Sequence, residues 1–357
     1  MRAGIEVAAP GEYSTCSRQH GRRQSLSSVC QEMVGCSRGN HNTLLQVKHQ
    51  AGNPNRRAFA RLKRAILEDY SYRDLREVNW KRRFVDFAPK IRSASSPSEF
   101  AKAAADLLSA ARDIHLWLRM AEQTIPTYRR SYRGNVALSA LPRLIPGWRQ
   151  LSGEVACGQF EDGIWYLCLR GWPAACPKAL SPAHQILRRA QAAGKGLVID
   201  VRANGGGAEP LAARFAARFV SRRVCYAKHL TRRAGRFTPV QERWLEPGRA
   251  SQRYHGRVAV LVGRGTVSTC ESFALMMRQV PGCRLIGQPT AGASGNPMPV
   301  DLGNGVVLFV PSWVDLAPDG TSLEGHGVIP DVQVEATPEK LSKADPVLLT
   351  ALRFLRE

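Results

Sequence analysis

The chain has 357 residues, with 51 lysines and arginines against 29 aspartates and glutamates and a formal net charge of +22. That length suggests about two domains and is enough to bury a sizeable core. No apolar stretch approaches membrane-spanning length, and nine cysteines, an odd number without any C-x-x-C pair, exclude a zinc site and a disulfide framework.

In chain order, residues 1–52 are rich in Ser, Gly, Gln and Asn, and no apolar period holds for long; the stretch reads as a disordered arm. It has no positively charged start followed by an apolar run, so no signal peptide is recognised. The expectation is a cytoplasmic protein with reduced, buried thiols such as Cys168 and Cys225, export staying open if the N-terminus is misassigned. A helical subdomain follows over 53–120, where Phe59, Leu62, Ile66 and Tyr70 recur at helical spacing. A second helix over 98–112 carries Phe100, Ala104, Leu107 and Ala111, and residues 121–160 read as a connecting segment.

From 161 to 357 strands alternate with helices, which argues an α/β core. Leu197–Val201 is a buried strand that opens onto Gly205, Gly206 and Gly207 before a helix over 209–221. Glycines there permit φ > 0 and close approach to a row of backbone N–H groups. The stretch does not match a P-loop, because Ala208 and Glu209 stand where a Lys-Ser/Thr pair is required. Val258–Val262 is an unbroken apolar run of the kind seen when both faces of a parallel strand are covered. Gly263 and Gly265 end it, and a helix over 271–279 follows with Phe273, Ala274 and Met277 on one face. Glu271 falls in the first turn, where the helix dipole favours a carboxylate. Ser268 thus precedes a helix N-terminus, beside free N–H groups able to stabilise an oxyanion. Read alone, that stretch fits an N-cap serine more simply than a nucleophile. Asp345 and Pro346 look like the cap and first residue of a last helix, with Leu348, Leu349, Leu352 and Leu355, that packs back on the core.

Taken together and in this order, GIWYLCL at Gly163, GLVIDVRANGGG at Gly196, VAVLVGRGTVSTCESFA at Val258, LIGQPTAG at Leu285 and EGHGVIPDVQVE at Glu324 resemble the tail-specific (C-terminal-processing) serine protease family. The resemblance runs from about Asn55 to the C-terminus. It implies a crotonase/Clp-like αβ core of mostly parallel strands with an N-terminal helical subdomain. It also implies a serine-type peptidase, with Ser268, at the S-x-x-E position, as nucleophile. One branch of the family uses a lysine just after a T-x-G turn. Here the turn is Thr290-Ala291-Gly292 with Ala293 at that position, and no lysine occurs between His229 and Glu339. The other branch, like the tricorn core, takes a histidine after the N-terminal helices and a glutamate near G-V-x-P-D. The resemblance carries these roles onto His115, in Asp113-Ile114-His115, and onto Glu324.

The chemistry explains the three residue types. A serine hydroxyl is a poor nucleophile near neutral pH, so an imidazole must take its proton and return it to the leaving amine. Histidine alone titrates in that range, and a carboxylate on its far nitrogen fixes the tautomer. The oxyanion donors implied are the N–H of Thr269 and that of Gly205 or Gly206. His115 beside Trp117 also fits a packed histidine, Glu324 a solvated loop carboxylate, and His326 is a competing base or orienter. Cys270 reads as a small buried hydrophobe. Only 47 residues separate His115 from Gly163 (116–162), too few for the PDZ domain that many members carry.

The positive charge is not where the chemistry is: Lys+Arg against Asp+Glu counts 36 to 16 over 53–250 but 5 to 7 over 251–335. Arginine pairs such as Arg129-Arg130, Arg222-Arg223 and Arg232-Arg233 lack the aromatic interleaving of a base-stacking platform. The expected partner is a polypeptide substrate, with no specific nucleic acid, membrane span, cofactor or metal; homo-oligomers occur in the wider family, and nothing in this chain specifies one. The rival to an endopeptidase of flexible polypeptides or C-terminal tails is a catalytically silent member of the fold that binds a peptide or an apolar ligand.

Overall fold

The structure, a computed structural model, describes residues 54–357 together with Ile5 and Glu6; the arm read over 1–52 otherwise lies outside the described residues. Its centre is a seven-stranded sheet in the order Val332–Gln333, Cys283–Gly287, Val258–Val262, Leu197–Asp200, Trp165–Leu169, Val155–Gln159, Arg149–Gln150. The first five run parallel, and the last two join antiparallel at one edge.

Successive side chains of a strand point to opposite faces, and here both faces are covered. Val258, Val260 and Val262 pack with Phe215, Phe273 and Met277 on one side. Ala259 and Leu261 pack with Leu348, Leu352 and Leu355 of the helix Pro346–Arg356 on the other. This double burial is the physical reason for the unbroken apolar run. Asp345 caps that last helix by accepting from the N–H groups of Val347 and Leu348, both at 3.1 Å. The same carboxylate holds the buried Arg202, whose guanidinium lies 2.7 Å from Asp345 Oδ2 and 2.6 Å from Asp200 Oδ2. The C-terminal helix is thereby clamped to the end of the central strand.

The helices Pro54–Glu68, Trp80–Arg92 and Pro97–Leu108 do not close a core by themselves. Phe59, Leu62, Ile66, Phe100 and Leu107 bury against Leu302, Val306 and Leu308, from an antiparallel sheet in the order Pro297–Asp301, Val306–Pro311, Trp117–Met120, Gln123–Pro126. The segment 121–160 supplies one strand to this sheet and two to the main one. A third antiparallel group pairs Val224–Arg233 with Gln241–Leu245 on one side and Trp313–Leu316 on the other. Two helices are shorter than the sequence suggests. The helix from Glu209 ends at Ala216, because the N–H groups of Gly248 and Tyr254 take the carbonyls of Ala217 and Arg218, each at 2.7 Å. The helix read over 98–112 gives way after Leu108 to a tighter turn, Ser109–Ala111, closed by Arg112 at φ 49°. Among the described residues, no helix is long and apolar enough to cross a membrane.

Candidate active site

Ser268 follows the parallel strand Val258–Val262 and immediately precedes the buried helix Thr269–Arg278. Its backbone stands at φ 57° and ψ −126°, a conformation costly for a residue with a Cβ and one that survives only where the surroundings impose it. The imposition is visible: Ser268 N–H donates to Ala293 O at 3.1 Å and to Glu271 Oε2 at 3.2 Å. From the other side Gly206, at φ 101°, presses its backbone on the turn. A Cβ added at Gly206 would come within 2.9 Å of Ser268 Cβ and of Val267 O, and 3.2 Å of Thr269 N. Gly206→Ala is therefore expected to cost about 1–3 kcal/mol in stability through strain. It is expected to lower kcat about 100-fold by displacing the serine, as denaturant titration and peptide hydrolysis would show; full activity in a stable Gly206→Ala protein would contradict the packing argument.

Ser268 and Thr269 open onto a cleft of about 590 Å³, bordered on the glycine side by Gly207. As the first residue of its helix Thr269 has no intrahelical acceptor for its N–H, and its Oγ1 donates to Gly207 O at 2.6 Å. The two glycines expected from the sequence sit deeper. Gly206 N–H already donates to Asn204 Oδ1 at 2.9 Å, and neither Gly205 nor Gly206 borders the cleft. The backbone that meets the cleft beside Thr269 is that of Gly207, one residue further along.

The loop Thr290–Ser294 joins the remaining groups to the serine. Ser294 N–H donates to Glu324 Oε2 at 3.0 Å, and Glu324 Oε1 faces Arg76 Nη2 at 3.4 Å. Glu324 is 2% exposed, so it is no solvated loop carboxylate. Burial, reinforced by the nearby Asp113, holds its carboxyl well above the usual range. Ile114 packs on Val267, Ala291 and Ala293, bringing the Asp113–His115 segment against the serine loop. Asp113 is itself fixed, accepting from Tyr70 Oη at 2.9 Å and from His115 N–H at 2.8 Å.

The His115 side chain is fully buried, and neither ring nitrogen has a hydrogen-bond partner among the described residues. Burial, with a smaller contribution from the cation of Arg130, pushes its pKa down to about 4. The structure thus gathers Ser268, Thr269 and, through the loop, Glu324, while His115 lies in the adjoining core without a bond to either Ser268 or Glu324. His326 is exposed.

Two features were not recognised in the sequence. Glu271 does more than complement a dipole: it is fully buried, and its carboxylate accepts from Thr290 Oγ1, Gly292 N–H, Ala293 N–H and Ser268 N–H. Burial outweighs these bonds and raises its pKa to about 7. The second is the cluster of Glu209, Arg243 and Asp315 at the cleft, whose members are 34 and 72 positions apart.

Residues 164–334 match the model of Peptidase family S41. No curated protein matches the chain in sequence. Among solved structures, the chain is similar to a candidate peptidase from Parabacteroides merdae, with 22% identity and a TM-score of 0.71 over 86% of this chain and 98% of that one. Mature CPAF is similar at 10% identity and a TM-score of 0.63, over 85% and 97% of the two chains. The photosystem II D1 C-terminal processing protease aligns at 16% identity and a TM-score of 0.51, over 86% and 98%. At these identities the three likenesses concern the fold.

Proposed function

We propose that the chain, whose residues 164–334 match the model of Peptidase family S41, cleaves flexible polypeptides, their C-terminal tails included, through an acyl-enzyme on Ser268. The observation that carries this reading is the strained turn, which holds Ser268 at φ 57° on the lip of a 590 Å³ cleft, beside the N–H of Thr269, which donates to no backbone carbonyl among the described residues. Strain of this kind is retained where it serves a site. The tail preference is supported by the motif resemblance to the tail-specific proteases and by the fold likeness to the D1 C-terminal processing protease.

In this reading Ser268 Oγ attacks the carbonyl carbon while His115 takes its proton. The N–H groups of Thr269 and Gly207 receive the developing oxyanion. Collapse breaks the C–N bond, His115 returns the proton to the leaving amine, and water then releases the acyl group by the same route. Glu324 orients the imidazole. Catalytic hydrogen bonds are often open without substrate and close in the complex, so the reading requires the unbonded His115 ring to turn toward Ser268 as substrate enters.

The isolation of His115 is also the specific observation that favours the rival, a peptide-binding member of the fold without catalysis. A fluorophosphonate separates the two. Mass mapping of the treated protein is expected to find the adduct on Ser268, and to find it lost in His115→Ala. An unmodified Ser268 in a folded protein that still binds peptide would establish the rival.

A further inference from the structure

Beyond Ser268 and Thr269 the cleft continues between Glu209 and Asp315, walled by Tyr226 and Trp313. Behind it lies Arg243, 8% exposed. Its Nη1 donates to both oxygens of Glu209, each at 2.9 Å, and its Nη2 to Asp315 Oδ1. The guanidinium carbon lies 5.4 Å from the Tyr226 ring centroid and 5.1 Å from that of Trp313, so aromatic walls hold it in place.

Two carboxylates share this one guanidinium, leaving the trio with a formal charge of −1. His229, stacked 4.0 Å from Trp313, does not offset it, because burial and then the cation of Arg243 lower its pKa. Asp315 is only 6% exposed, yet its Oδ2 accepts no hydrogen bond from the described residues, since Arg243 reaches Oδ1 alone. An oxygen of a mostly buried, cleft-lining carboxylate that has no donor of its own is an acceptor awaiting one.

We infer that this end of the cleft is the specificity pocket and that it selects a cationic side chain, lysine or arginine, at the residue whose carbonyl is attacked. The inference rests on the acylation of Ser268 proposed above. An ammonium or guanidinium reaching Asp315 from the cleft side donates to Oδ2 and neutralises the surplus charge, its methylene stem lying along the cleft wall beside Trp313. An apolar side chain leaves that charge buried and unmatched, and an acidic one adds a third carboxylate.

The test uses peptides identical except at that position, which carries lysine, Nε-acetyl-lysine, leucine or glutamate. Acetylation keeps the stem and removes the charge, so the comparison does not disturb the protein. The lysine peptide is expected to show a kcat/KM about tenfold or more above its acetylated twin, with glutamate slowest, and Asp315→Asn to bring the lysine-to-acetyl-lysine ratio toward one. Equal or faster cleavage of the acetylated, leucine or glutamate peptide would overturn the inference, as would an unchanged ratio in a folded Asp315→Asn protein. The fluorophosphonate distinguishes the two failures. Modification of Ser268 alongside a wrong preference defeats the pocket alone, whereas no modification and no cleavage defeats the acylation reading and the pocket with it.

Discussion

Ser268→Ala is expected to slow cleavage of an unstructured polypeptide about 10⁴-fold or more, with His115→Ala close behind and the double variant no worse than the single ones. Residues of a nucleophile–base unit act together, so their losses do not add. Initial rates followed by mass spectrometry give the factors, and unchanged near-ultraviolet circular dichroism shows that the fold has survived. A Ser268→Ala protein that retained a tenth of the activity would remove the serine from the mechanism. The pH profile carries a second part of the prediction. A general base works only unprotonated, and burial puts the pKa of His115 at about 4. The acid limb of kcat/KM for the free enzyme is therefore expected near pH 4, well below the ordinary histidine range.

The same shift has a cost for stability, and its sign follows from linkage. The folded pKa lies below the unfolded one of 6.5. As pH falls from about 6.5 toward 4, the unfolded chain takes up a proton that the folded His115 refuses. Stability is lost through that window, by about 3 kcal/mol at most. His115→Ala should flatten that part of the stability curve while abolishing activity, a combination that a merely misfolded variant does not give.

How much of this was legible in the sequence follows from the range of the interactions involved. Val258–Val262 and Leu197–Asp200 could be read as buried parallel strands because burial on both faces writes itself as a local apolar run. Ser268 could be placed because the glycines and the following helix lie within a few residues of it. The strand Val224–Arg233 carries Lys228, Arg232 and Arg233, and its pairing with Trp313–Leu316 joins segments far apart in the chain, so no local period announces the antiparallel group. The Trp80–Arg92 helix holds Pro89, which reads locally as a break, although Trp80, Phe84 and Ile91 lie on one buried side. The Glu209–Arg243–Asp315 cluster belongs with these. Each member looks like a surface charge until three distant segments converge on one cleft. The glycine row shows the limit of a motif: it marked the segment that meets the nucleophile, but which glycine borders the cleft depends on Asn204 occupying the N–H of Gly206.

Glu271 is the residue whose removal should damage both the fold and the site. Its Oε1 accepts from Thr290 Oγ1 at 2.6 Å and Gly292 N–H at 2.8 Å; its Oε2 accepts from Ala293 N–H at 3.0 Å and Ser268 N–H at 3.2 Å. One carboxylate thus binds the nucleophile turn to the loop that positions Glu324. Glu271→Ala leaves these donors buried without an acceptor, at a cost of about 1–3 kcal/mol for each one that water does not reach. A loss of about 3–5 kcal/mol is expected, together with a large fall in kcat as the loop releases Ser268, whereas Ser268→Ala should spare stability. The conservative variant isolates the charge. Burial raises the pKa of Glu271 to about 7 from an ordinary 4.5, so its contribution to stability is fully present below pH 4.5 and is lost as pH rises through about 7. Glu271→Gln cannot ionise, so the stability of the wild type relative to Glu271→Gln should fall as pH rises from about 4.5 to 7, the opposite trend from His115 being common to both proteins, even though the amide sets a donor against one of the loop's own donors and lowers stability throughout. Denaturant midpoints of the two proteins across that range decide the matter. If the stability difference between the wild type and Glu271→Gln does not change with pH, the carboxylate is not what titrates, and the proton held beneath the nucleophile turn must be sought on Glu324 or Asp113.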